Sequence, residues 1–165
     1  MGRSLNPRWW QLLRHRKGYG IHSPFAYRFI TEVLNPSRKY RYYAEETEKN
    51  SNGRILARLS AFLNTDKGFY HGSAAKALSA KQTASTAISD ANILVVDLKS
   101  TPIPPEILER IGRGNVAVLC FHHSRGRIDP LLEAMPYGMS FRNRSTRAVL
   151  VVDPKLPRQD FWVQW

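Results

Sequence analysis

The amino-acid sequence predicts an α/β domain built on a mostly parallel sheet, and three observations predict it. The first is a pair of continuous apolar runs, ANILVVDL over 91–98 and NVAVLCFH over 115–122. Runs of this kind, partly β-branched, are strands covered on both faces. The second is what separates them. Pro104 and Pro105 open a helix through EILERI, and Gly112 and Gly114 close it. Strand, helix and strand at this spacing make a parallel βαβ unit. The third lies upstream, where Gly68 to Gly72 reads as a short strand and turn before a small-residue helix over 73–81. A strand running through a glycine turn into a helix N-terminus is a geometry that holds anionic or nucleotide ligands.

The remaining elements follow in chain order. Asn6-Pro7 starts a short helix in which Trp9, Leu12 and Leu13 share a face. That face can lie on an anionic surface or pack on the domain. Gly18 and Gly20 then flank Tyr19 in a turn, and Ser23-Pro24 begins a second helix. Serine suits an N-cap because its hydroxyl accepts from a free N–H; proline suits the first helical position because its missing N–H had no partner there. Ala26, Phe29, Ile30, Val33 and Leu34 fall at helical spacing, and Asn35-Pro36 ends the helix. Residues 52–63 place Ile55, Leu56, Leu59, Phe62 and Leu63 on one helical face, stopped by Asn64 to Asp66. Residues 83–90, TASTAISD, read as loop, and Ile128 to Met135 as a short helix. The chain finishes with strands at 147–153 and 160–165 around a turn at Pro154 to Pro157. They are close enough in sequence to be expected as an antiparallel pair.

At 165 residues the chain is long enough for a core of its own, and a 42% hydrophobic fraction with four tryptophans excludes global disorder. No apolar run approaches the roughly 20 residues that span a bilayer. The basic N-terminus lacks an apolar stretch, so no secretory signal is expected. Cys120 is the single cysteine and cannot form an internal disulfide. A reducing, cytoplasmic setting is therefore expected, with Cys120 an inert core thiol.

The net charge of +12 is unevenly spread. Residues 1–43 carry nine Lys and Arg against one acid, Glu32, whereas 44–165 carry sixteen against twelve. Such a field attracts phosphates of nucleic acid, nucleotides or anionic lipid. Arg14, Arg16 and Lys17 in the arm before the second helix are candidate anion contacts, with His22 at the helix start. Tyr42 and Tyr43, interleaved with Arg38, Lys39 and Arg41, add rings that can stack on bases.

The motif GYGIHSPFAYRFITEVL, the YYA block after it and the RILARLSAFL helix resemble small class I S-adenosylmethionine-dependent methyltransferases of Bacteroidetes-type bacteria. NILVVD, NVAVLCFHH and the aromatic DFWVQW end continue the resemblance in order along nearly the whole chain. It implies a Rossmann-like sheet with a C-terminal antiparallel hairpin and a helical N-terminal extension. The implied division is 1–50 for the basic extension and 51–165 for the α/β domain. The implied activity is methyl transfer from S-adenosylmethionine.

The departures bear on that activity. The family's cofactor loop is glycine-rich so that backbone can approach the ligand; here it reads HGSAAKA, leaving Gly72 and Ser73 as its remnant. Only about nine residues separate the 73–81 helix from the strand at 91, so the second and third strands, with the acid that would bind ribose, are expected to be missing. Asp97 closes one strand and His122 the next, as candidates to orient an acceptor and to act as general base. His122 and His123 are neighbours on a strand and point to opposite faces, so no metal site is expected. Two functions remain open: a methyltransferase-like protein with weak or lost activity, or a non-catalytic module that contacts RNA or a protein complex through the basic N-terminus.

Overall fold

A computed structural model describes residues 22–36, 51–65, 67–72, 83–84, 87–99, 102–122, 124, 126–144 and 146–165. Helix α1 spans Pro24–Phe29 and continues as a wider π-helical turn, Ile30–Leu34. The Ser23 hydroxyl caps it, accepting from the Ala26 N–H at 3.3 Å. Helix α2 spans Ser51–Leu63. Strands β1 (Lys67–His71), β2 (Thr83–Ala84) and β3 (Ile93–Asp97) follow. Helix α3 (Pro105–Arg113), strand β4 (Val116–Phe121) and helix α4 (Asp129–Ala134) come next. Strands β5 (Met139–Arg142), β6 (Ala148–Val152) and β7 (Gln159–Trp162) complete the chain.

The strands form one sheet in the order β2-β1-β3-β4-β6-β5-β7. All pairings are parallel except the two made by β6, so β6 alone is reversed. The expected βαβ unit is present: β3 and β4 are adjacent and parallel, with Ile93 opposite Ala117 and Asp97 opposite Phe121. The fold is mixed α/β, with a mostly parallel sheet and helices that are compatible with a Rossmann-like arrangement.

Alternation along the strands divides the core into two layers. Ile93, Val95, Leu119, Phe141 and Val149 face α1 and α2, where they meet Phe29, Ile30, Ile55, Leu56 and Leu59. Leu94, Val96, Val118, Cys120 and Leu150 face α3 and α4, where they meet Ile107, Ile111 and Leu131. Both faces are covered, which is why β3, β4 and β6 are buried at every position. Helix α1, read from sequence as part of a basic extension, contributes Phe29, Ile30, Val33 and Leu34 to the same core as the sheet.

Three expectations are corrected. Residues 83–90 are not all loop. Thr83–Ala84 pairs with Lys67 and Gly68 as an edge strand, and Ile88–Asp90 is a 3-10 turn. A second strand therefore survives beside β1, although two residues long. The last two strands do not pair with each other. Both sides of β6 are already occupied, by β4 and by β5, so the chain crosses β5 and β7 adds to its far edge in parallel. The antiparallel hairpin is β5–β6, and β5 has no counterpart in the elements expected from sequence. Helix α3 also runs through Gly112 to Arg113 and stops at Gly114, whose φ is 78°. The predicted helix over 73–81, the helix after Asn6-Pro7 and the residues Arg14, Arg16, Lys17, Tyr42, Tyr43, Ser73 and His123 lie outside the described residues.

Polar contacts tie the last strand down. The Ser140 hydroxyl donates to the Asp160 carboxylate, and the Arg142 guanidinium sits 4.7 Å from the Trp162 ring centroid. On the other side of the hairpin, Arg147 reaches Ser51 Oγ at 3.4 Å and Asn52 Oδ1 at 3.3 Å. This joins the start of β6 to the start of α2.

Cys120 is fully buried in β4, and burial pushes its thiol well above the ordinary value near 9.0. The neutral thiol is favoured in the fold, so only the unfolded chain releases this proton as pH rises past about 9. The contribution of Cys120 to stability is thus constant below that pH and falls above it. Iodoacetamide at pH 8 is expected to leave Cys120 unmodified in the native chain and to alkylate it in denaturant. Mass spectrometry checks this, and native alkylation at the unfolded rate contradicts the burial.

Candidate functional site

β1, β3 and β4 are parallel neighbours, so their carboxyl ends lie along one edge of the sheet. The chain leaves β1 for β2 on one side, then returns to place β3 on the other. Open α/β sheets form a ligand crevice at the carboxyl ends where strand order reverses in this way. Gly72 follows β1, Asp97 ends β3 and His122 follows β4. His71 is opposite Val96 and Asp97 is opposite Phe121, so register alone brings the three positions to one line.

Asp97 is 3% exposed. A carboxylate at that depth needs donors to offset its desolvation. The Lys99 backbone N–H donates to Asp97 Oδ1 at 2.9 Å, and His122 Nδ1 lies 2.8 Å from the same oxygen. An ionised carboxylate only accepts hydrogen bonds. In the neutral imidazole, therefore, Nδ1 carries the proton and Nε2 keeps its lone pair. The His122 side chain is 50% exposed, so the ring joins the buried acid to solvent. Its backbone has φ 55°, a left-handed conformation uncommon outside glycine though tolerated by His. The strand ends there, and the turn swings the ring back over Asp97.

Gly72 has φ 93°, and a Cβ there would lie 2.7 Å from Asp97 Cβ. Packing against the neighbouring strand end explains the glycine. Two grooves lie elsewhere. One, of about 180 Å³, is at the opposite end of the sheet and is lined by Asn92, Asn115 and Asp153. The other, of about 410 Å³, runs beside α3 between Phe69 and Arg113. Neither includes Gly72, Asp97 or His122. Among the described residues this edge places a buried carboxylate against a half-exposed imidazole. No group of three or more His, Cys, Asp and Glu among them is placed to hold a metal ion.

The structure thus brings together Gly72, Asp97 and His122 from the residues singled out in the sequence. His22 is exposed at the start of α1 and shares no hydrogen bond with the others among the described residues. Arg127 was not singled out. Its Nη1 donates to the Leu98 carbonyl at 3.1 Å, beside Asp97. No sequence pattern marks it, because it is an arginine in the loop after β4 whose partner is a backbone carbonyl.

No family model, curated protein or solved structure matches this chain. No helix among the described residues is long and apolar enough to cross a membrane.

Proposed function

We propose that the chain is a class I S-adenosylmethionine-dependent methyltransferase-like protein with a reduced donor half, so that methyl transfer is weak or lost. The observation that carries this reading is the sheet. Parallel β1, β3 and β4 present Gly72, Asp97 and His122 at one edge, and the antiparallel β5–β6 hairpin lies between β4 and the last strand, β7. A mostly parallel sheet is what the sequence resemblance implies, although its antiparallel hairpin is β5–β6 and not the last two strands. Two features support reduction. β2 is two residues long, and the glycine after β1 is packed against Asp97.

The charge asymmetry favours a second reading on the same fold, a binding module for an anionic partner. Nine Lys and Arg stand against one acid in residues 1–43. Calorimetric titration of the full chain with S-adenosylmethionine separates the two. Saturable heat at micromolar ligand supports a retained donor site. No heat, together with RNA binding that weakens steeply with salt, supports the module. In that case substituting Arg14, Arg16 and Lys17 together is expected to flatten the salt slope, and an unchanged slope removes the arm as the contact.

A further inference from the structure

We infer that Asp97 and His122 form a proton-accepting pair, in which His122 Nε2 removes the proton from a hydroxyl-bearing substrate of the phenol or enol class. This deepens the reading above by naming the acceptor for the same strand edge, and it rests on that reading for the substrate's place.

Three observations converge on the pair. The first is the depth of the acid against the exposure of the base. Asp97 is 3% exposed, whereas the His122 side chain is 50% exposed. A carboxylate kept only for local structure is satisfied by backbone donors, such as the Lys99 N–H it already accepts. Here it also holds an imidazole by Nδ1, leaving Nε2 across the ring as the group that can accept a proton. The second is backbone conformation. His122 is held at φ 55°, a left-handed conformation it shares with Asn64, Asn115 and Thr146, and here that turn sets the ring against Asp97. The third is position, at the carboxyl ends beside the reversal of strand order.

Arg127 narrows the substrate class. Its guanidinium is anchored on the Leu98 carbonyl at 3.1 Å, and no carboxylate pairs with it among the described residues. A hydroxyl that gives up its proton becomes an oxyanion, which a cation held beside the end of β3 would stabilise. A protonated amine becomes neutral and gains nothing from that cation. Phenols and enols are also acidic enough for an imidazole base, while simple alcohols are far weaker acids. In the step, the O–H proton moves to Nε2 and the bonding electron pair stays on oxygen. The resulting imidazolium is held by the Asp97 carboxylate and returns its proton to solvent. Asp97 is a positioning residue in this scheme.

The pair is tested in the full chain with 5-nitrobenzisoxazole. A base takes the C–H proton of this probe as its N–O bond breaks, giving a coloured cyanophenolate without any methyl donor. H122Q is expected to lower the probe rate by about 10²-fold and D97N by about tenfold, with folding checked by circular dichroism. Long-range ¹⁵N spectra of the wild type are expected to show the neutral His122 ring protonated at Nδ1. D97N is expected to mix the two tautomers, a change that loss of packing alone does not produce. A probe rate unchanged in H122Q, or a wild-type ring protonated at Nε2, overturns the pair. If D97N does not fold, the H122Q rate and the wild-type spectrum still decide. An active pair with a silent S-adenosylmethionine titration removes the donor reading alone; donor binding with an unchanged H122Q rate removes the pair alone.

Discussion

Phe29→Ala is expected to lower the unfolding free energy by about 3–5 kcal/mol, a large fraction of the roughly 5–15 kcal/mol that stabilises a typical domain. Phe29 is fully buried in α1. Its ring stacks on Phe141 of β5 at 4.5 Å between centroids and meets Phe62 of α2 edge-on at 5.4 Å. Truncation removes the contact that joins three separate elements, and the cavity opens at their meeting point, where collapse is least able to fill it. Urea denaturation followed by tryptophan fluorescence measures the loss. The transition should remain single, because α1 shares its core with the sheet. A loss below about 1 kcal/mol, or a separate early transition, would mean that α1 is an appendage with its own stability.

Gly72→Ala is the second large effect, a loss of about 2–5 kcal/mol. Two costs combine. An L side chain at φ 93° adopts a backbone conformation worth about 1–2 kcal/mol of strain. The new Cβ would also meet Asp97 Cβ at 2.7 Å, an overpacking that costs about 1–3 kcal/mol. The atom it meets is bonded directly to the β3 backbone, so no flexible side chain can swing away. Relief must come from the carboxyl ends of β1 and β3 moving apart, and Asp97 carries the His122 contact with it. The variant should therefore shift the His122 imidazole resonances as well as the denaturation midpoint. A Gly72→Ala chain as stable as wild type, with an unshifted ring, would show that the close approach is not maintained in solution.

The candidate site was only partly legible in the sequence. Asp97 and His122 stand out as polar ends of apolar strands, and each was singled out alone. What made them a pair is the parallel register of β3 and β4, which sets Asp97 opposite Phe121 and brings residues 25 apart in sequence to 2.8 Å. Gly72 was read as the remnant of a ligand loop, while its contact with Asp97 depends on which strand lies beside β1. Arg127 was missed because an arginine in a surface loop has no pattern to mark it until its carbonyl partner is known. The β5 strand was missed for a different reason. Met139, Ser140, Phe141 and Arg142 alternate apolar and polar, the period of a strand, but four residues are too short a run to stand out from a turn.

Local chemistry alone decided the elements with strong signals: the Ser23-Pro24 helix start, the 51–63 helix and the buried β3-α3-β4 unit. Capping, helical spacing and continuous apolar runs act within a few residues of one another, so they survive in any context that buries them. The sheet order, the reversed placement of β6 and the parallel docking of β7 were decided only by the assembled fold. Each depends on which strand edge is still open when a segment arrives, and an open edge belongs to the whole sheet rather than to any stretch of chain.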